Sequence, residues 1–408
     1  MTERLAANLG KIASSAALYP KESMLAVEER RRSLFIGLPK ESSFQENRIG
    51  LTPDAVKQLT EQGHRIVIEA GAGGPSKYSD HEYSEAGAQI VYSPEEVYEA
   101  NIILKIAPPT YGEIEYLKPN QTLISALAFG HLTSDYINAL LRKKINAISF
   151  ELIRDKSESK PVVRAMSEIA GSTVMLIAAE YLSSSKEGKG VVLGGITGVP
   201  PSKVVILGAG TVAEHAARAA LGLGAEVKVF DNQIYKLRRL KQNIGTQLFT
   251  STLDKAVLYS EIKQADVVIG ALVAEEGRIA CMVEENIVSQ MAPGSVIVDV
   301  CIDQGGCFET SEVTSHSRPV YRKYDIIHYC VPNIPSRVPR TASNALSNIF
   351  TPIFTEISKY GGVNEVLFMN EHYRSGVYIY KGSLTNAPIA KRFGMRYKEL
   401  GLMIAVRN

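Results

Sequence analysis

Cysteine is scarce in this chain: only Cys281, Cys301, Cys307 and Cys330 occur in 408 residues. No pair has C-x-x-C or zinc-ligand spacing, so neither a disulfide framework nor a structural zinc site is indicated. Buried, reduced thiols in apolar strand-like runs are expected, which suits a cytoplasmic location. An excess of charge of one sign is also missing. The 45 basic and 43 acidic side chains leave a formal net charge of +2, which gives no reason to expect nucleic acid or an anionic membrane as partner. Small molecules are the expected partners. No stretch approaches the ~18 uninterrupted apolar residues of a membrane helix. The N-terminus, broken by Glu3, Arg4, Lys11, Lys21 and Glu22, lacks an apolar segment of signal-peptide length. With 45% hydrophobic and 22% charged residues the composition is that of a globular protein, and the length exceeds what one core usually supports, so two domains are expected.

The most informative stretch is Lys203-Val-Val-Ile-Leu-Gly-Ala-Gly-Thr-Val-Ala213, followed by an Ala-rich segment and Glu226-Val-Lys-Val-Phe-Asp231. It reads as strand, glycine turn, helix and strand. Gly208 makes the turn, Gly210 lets the backbone approach a pyrophosphate, and Ala213 keeps helix and strand close. The helix N-terminus offers unpaired N–H groups to phosphates. Asp231, 21 positions after Gly210, would accept hydrogen bonds from the adenosine ribose hydroxyls and repel a 2′-phosphate. The cofactor expected here is NAD rather than NADP.

On either side, strands alternate with amphipathic helices. Strands are expected at 34–38, 65–69, 102–106, 122–126 and 147–150, with helices at 53–61, 82–86, 94–99 and 134–142. This is an α/β pattern with a parallel sheet covered on both faces, and it has no phosphate-binding glycine turn of its own. A long helix over 163–185 joins it to the nucleotide half. There the pattern predicts helix 235–242, strand 266–271, helix 285–291 and strands 295–302 and 325–330. A helix over 341–359 and the remaining chain are too short for a third domain and are expected to pack back on the first half. The resulting division is an N-terminal extension at 1–30, a substrate domain at 31–160 plus 340–408, and a nucleotide domain at 161–339.

Several motifs in order carry a family resemblance. Gly37-Leu-Pro-Lys-Glu, Asn47-Arg-Ile-Gly-Leu-Thr-Pro53, Ile103-Leu-Lys105, Met166-Ser-Glu-Ile-Ala-Gly171, Leu207-Gly-Ala-Gly-Thr211, Val298-Asp-Val-Cys-Ile-Asp-Gln-Gly-Gly-Cys-Phe-Glu309 and Val331-Pro-Asn-Ile-Pro with Val338-Pro-Arg-Thr341 resemble the family of alanine dehydrogenases and nicotinamide nucleotide transhydrogenase alpha subunits. The Asp-Gln-Gly-Gly-Cys-Phe-Glu and Asn-x-Pro segments are closer to alanine dehydrogenase. The resemblance implies two Rossmann-like domains with a cleft between them, NAD on the second, and homo-oligomeric association.

It also implies residue roles. Arg48, in a polar loop, matches the substrate-binding arginine, whose fork can hold a carboxylate through two parallel hydrogen bonds. Asp303 follows an apolar strand, at the edge where open α/β sheets bind ligands. It matches the catalytic aspartate, which orients or deprotonates water or accepts the substrate ammonium. An aspartate before glycine is also a common turn former, and Asp299, within the strand, reads as structural. Asn333 matches a position near the nicotinamide, and Ser167 and Lys236 match cofactor contacts. Two positions depart from the family. Its Lys-x-Lys-Glu-Pro segment, whose second lysine touches substrate, is here Lys105-Ile-Ala107-Pro-Pro109; Lys105 faces the same side of a strand, about 6.6 Å back, and is the expected replacement. The family's catalytic histidine corresponds to His131, which arrives about three residues late. The other six histidines show no metal spacing.

The expected activity is NAD-dependent oxidative deamination of a small L-amino acid, L-alanine to pyruvate and ammonia. Two other readings stay open: a soluble nucleotide-binding subunit of a transhydrogenase, and a non-catalytic NAD(H)-binding protein.

Overall fold

The computed structural model describes residues 32–43, 45–127, 132–272 and 282–405. The N-terminal extension, His131 and Cys281 lie outside the described residues.

Two sheets organise the chain. The first is built from β1 (Phe35–Leu38), β2 (Arg65–Glu69), β3 (Gln89–Val91), β4 (Ile102–Leu104), β5 (Thr122–Ser125) and β6 (Asn146–Ser149), all parallel. The second contains β7 (Lys203–Leu207), β8 (Glu226–Phe230), β9 (Phe249–Ser251), β10 (Val267–Gly270), β11 (Val296–Asp299), β12 (Val320–Lys323) and β13 (Ile326–Tyr329). Among the described residues, only β12 runs antiparallel there, against β13. The chain then returns: β14 (Val377–Tyr380) pairs antiparallel with β6, and β15 (Ser383–Leu384) extends that edge. The orders are β15-β14-β6-β5-β4-β1-β2-β3 and β12-β13-β11-β10-β7-β8-β9. The strand order therefore reverses between β1 and β4 in one sheet and between β7 and β10 in the other. Ligands of open α/β sheets enter at those two points.

The central strands are buried along their whole length, as in β5, β6, β10, β11 and β13, because helices cover both faces of a parallel sheet. Two long helices cross between the halves, Pro161–Leu182 and Pro339–Lys359. The first packs on the fingerprint helix Thr211–Gly222 so closely that a Cβ on Gly171 would stand 2.3 Å from the Val212 carbonyl oxygen. Among the described residues, Pro161–Leu182 is the one helix long and apolar enough to cross a bilayer by composition. It carries Arg164, Glu168 and Glu180, and 44% of its apolar window is buried against the rest of the protein, as for a helix with one face on a core.

Several elements differ from the sequence expectation. The strand expected over 295–302 ends at Asp299, and Ile302–Gln304 forms a tight 3₁₀ turn. The helix expected at 285–291 is only Glu285–Val288. Helix Lys255–Gln264 and the β3, β9, β12, β14 and β15 strands were not anticipated. The missed strands are two to four residues long, too short for an alternating pattern to stand out.

Candidate functional site

The glycine turn forms as its sequence requires. Gly208 has φ +108°, and a Cβ there would lie 2.4 Å from the Ala271 carbonyl oxygen, so the β7 turn closes against the end of β10 only with glycine. Nothing lies within 4 Å of a Cβ built on Gly210, which leaves the start of helix Thr211–Gly222 open to a ligand. Ala213 is fully buried. Asp231 is buried at the end of β8, its Oδ2 accepting from Ala209 N at 2.8 Å and its Oδ1 from Gln233 N at 2.7 Å. Each carboxylate oxygen has a second lone pair for a ribose hydroxyl. Ser167 lies one turn before Gly171, on the helix packed against this N-terminus, and Lys236 stands half-buried in the first turn of helix Ile234–Ile244.

Arg48 is held by a carboxylate that sequence reading passed over. Glu46 accepts from Arg48 Nε at 2.7 Å, from Nη2 at 2.6 Å and from the Arg48 backbone N at 3.0 Å. Arg48 Nη1 also contacts Met166 Sδ at 3.3 Å. Of the five guanidinium protons, three are engaged by these side-chain bonds, leaving two on the Nη1/Nη2 side. Burial favours loss of charge on both partners. It is outweighed by their mutual attraction, so Glu46 is held below its ordinary range and Arg48 above its own.

This loop is pinned to the other half. Asn333 Nδ2 donates to Glu46 Oε2 at 2.9 Å, Ser336 Oγ donates to the Gln45 carbonyl at 2.7 Å, and Asn47 N donates to Ser336 Oγ at 2.9 Å. His316 N donates to Gln45 Oε1 at 2.5 Å. Asn333, in the left-handed region at φ 59°, thus reaches the arginine's partner.

Asp303 lies in the turn after β11. Solvent reaches its carboxylate, yet the surrounding protein raises its pKa through desolvation, opposed by the backbone N–H groups of Asp303 and Gln304 and reinforced by the charges of Asp299 and Glu151. Glu151, just beyond β6, accepts from Leu127 N at 2.8 Å. Its charge raises the pKa of Asp303 and of Arg48 alike. Glu151 was missed, although its place after a buried strand is a readable signal. Asp299 is fully buried and accepts from Cys307 N at 2.8 Å and Ser311 Oγ at 2.6 Å.

Lys105 is withdrawn from solvent. The assigned strand ends at Leu104, and its ladder with β5 continues through Lys105 N donating to the Ile124 carbonyl and Ala126 N to the Ile106 carbonyl. The Lys105 side chain is fully buried, with Nζ 2.7 Å from Glu41 Oε2 and 3.5 Å from Glu113 Oε1. Glu41 also accepts from Ile106 N at 2.5 Å and Ala107 N at 3.2 Å. The pair stitches the ends of β1 and β4 together.

Residues 37–170 match the N-terminal domain and residues 174–387 the C-terminal domain of the family described as alanine dehydrogenase/PNT. Alanine dehydrogenase 2 of Staphylococcus aureus is 37% identical over 368 residues, covering 90% of this chain and 98% of the relative. A solved L-alanine dehydrogenase superposes with a TM-score of 0.82 at 35% identity, covering 87% of this chain and 98% of the other. A transhydrogenase from Sinorhizobium meliloti shares the fold, with a TM-score of 0.74 at 22% identity over 86% and 99% of the two chains. With both halves matched, this chain belongs to the alanine dehydrogenase/PNT family.

Proposed function

We propose that the protein is an NAD-dependent amino-acid dehydrogenase that interconverts a small L-amino acid, L-alanine by family, with its 2-oxo acid and ammonia. The observation that supports this reading is that the charge of Glu151 acts on both Arg48, from the loop after β1, and Asp303, from the turn after β11. The free Nη1/Nη2 side of Arg48 would take the substrate carboxylate bidentately, while Glu46 holds the opposite side of the guanidinium. Asp303 would accept a proton from the substrate ammonium or from the water that adds to the imine carbon. NAD, when bound, accepts the α-hydrogen as hydride. The turn at Gly208 and Gly210 with Ala213 would hold its pyrophosphate, Asp231 its ribose, and Ser167, Lys236 and Asn333 would line its length. His131 is retained as a second acid–base group. With Lys105 sealed away and alanine at position 107, Arg48 alone supplies the cationic contact for the carboxylate.

Exposed Val192, Ile196 and Val199, each 60% accessible on one loop, favour a homo-oligomer, and we infer a cytoplasmic enzyme without nucleic-acid or membrane partners. The decisive assay is NADH oxidation with pyruvate plus ammonia. Saturable turnover is expected, cut by about 100-fold or more in Asp303→Asn; intact NADH binding with no turnover on any small 2-oxo acid would sink the reading. The alternative, hydride exchange between two nucleotides, is favoured by Ala107 and would give turnover with a second nucleotide and no amino acid.

A further inference from the structure

The turn that carries Asp303 is closed at its base by two sulfurs. Cys301 and Cys307 are 4% and 0% exposed, and their Sγ atoms lie 2.7 Å apart. Between them Gly305 and Gly306 take φ +108° and +78°, doubling the chain back so that Gly306 N donates to the Cys301 carbonyl at 3.1 Å. Asp299 braces both ends, accepting from Cys307 N at 2.8 Å and from Cys301 Sγ at 3.1 Å. We propose that Cys301 and Cys307 are a disulfide-forming pair, a reversible oxidation site that locks the turn presenting Asp303.

A metal is the competing use of this cluster, because ligand atoms of Asp299, Cys301 and Cys307 lie within 4.8 Å of one another. Two thiolates on one zinc ion, each about 2.3 Å from it, stand roughly 3.7 Å apart, well beyond the spacing here. The Asp299 oxygens are also occupied by Cys307 N, Ser311 Oγ and the Cys301 thiol. A disulfide requires only that the sulfurs close to about 2.05 Å.

The oxidant that fits so enclosed a pair is small and uncharged, a hydroperoxide such as hydrogen peroxide. Cys301, with the residual exposure, attacks one peroxide oxygen; the O–O bond breaks, the thiol proton leaves with the departing hydroxide as water, and a sulfenic acid forms. Cys307 sulfur then attacks Cys301 sulfur, the S–O bond breaks, and the hydroxide departs as water with the Cys307 proton. Two thiols and one peroxide become one disulfide and two waters. The Cys307 thiol against it, burial and the Asp299 charge disfavour the Cys301 thiolate, so the reaction is slow. The product removes the thiol proton that Asp299 accepts and ties down the residue two places before Asp303.

The test treats the full-length chain with hydrogen peroxide, alkylates the remaining thiols and maps peptides without reduction. A single intrachain Cys301–Cys307 link is expected, lost on treatment with dithiothreitol and absent in Cys301→Ala. A link to Cys330 or Cys281, oxidation beyond the sulfenic acid without any link, or stoichiometric zinc protecting both thiols would overturn the proposal. Oxidised protein is expected to turn over at least fivefold more slowly until reduced, with Cys301→Ala insensitive; unchanged turnover in fully linked protein would remove the pair from control of the Asp303 turn. The turnover arm rests on the dehydrogenase reading, whereas peptide mapping decides the site even in a chain with no such activity.

Discussion

The first half of the molecule holds two carboxylate–cation pairs a few residues apart, and their acids are tuned in opposite directions. Glu46, paired with Arg48, is held below the ordinary glutamate range, because burial is outweighed by a bidentate guanidinium, a backbone N–H and the Asn333 amide. Glu41, paired with Lys105, is pushed above that range, because burial outweighs the lysine and the Ile106 N–H, and the Glu46 charge adds to it. A planar fork satisfies a buried carboxylate better than a single ammonium does. The two pairs therefore serve different ends. Arg48–Glu46 keeps a charged guanidinium with one side unspent, while Lys105–Glu41 closes the reversal point of the first sheet.

Lys105→Met should cause the largest change in stability. Breaking a buried pair from one side costs roughly 3–5 kcal/mol, read as a lower denaturation midpoint at neutral pH. The folded fraction should keep its turnover within about threefold if the lysine is structural. The loss should shrink as pH falls, since Glu41 can then take a proton at little cost. A collapse in turnover with unaltered stability would instead return Lys105 to the substrate.

Arg48→Lys should reverse that pattern. Replacing the fork with a point charge forfeits bidentate contact with both Glu46 and the ligand, and kcat/KM should fall about 100-fold, or roughly 2.7 kcal/mol, with a smaller change in stability than Lys105→Met gives. Equal effects of the two substitutions on stability and rate would erase the distinction between the pairs.

The smallest effect needs no mutation. The pKa of Asp303 in the fold lies above its unfolded value, so its contribution to stability is complete below the unfolded value and is lost as pH rises through the folded one. As a base, Asp303 becomes competent over that same interval. Deamination should therefore gain rate while the protein loses a little stability, with the acidic limb of kcat/KM above the usual aspartate range. A limb that persists unmoved in Asp303→Asn with residual turnover would assign it to another group.

What could be read from the sequence was local. The Gly208 turn, Ala213 and Asp231 fall within one strand-helix-strand unit, and helix 134–142 shows its period cleanly enough that the structure has the same bounds, Ser134–Arg142. Glu46 stands two residues from Arg48 but becomes its partner only because the loop folds back on itself. Glu41 meets Lys105 across 64 residues, and the charge of Glu151 reaches Asp303 from the other sheet. Such pairings come from tertiary packing, which no spacing encodes. The burial of the Lys105 side chain against Glu41 is likewise a product of packing, with no counterpart in strand alternation.

The hydrogen bonds from Asn333 and Ser336 to the 45–47 loop have a further consequence. The chain that leaves β13 fastens the arginine loop before it enters helix Pro339–Lys359, so the two halves are tied together at this loop. Occupancy of one side would then bias the affinity of the second, and the two reactants would be taken up in a preferred sequence.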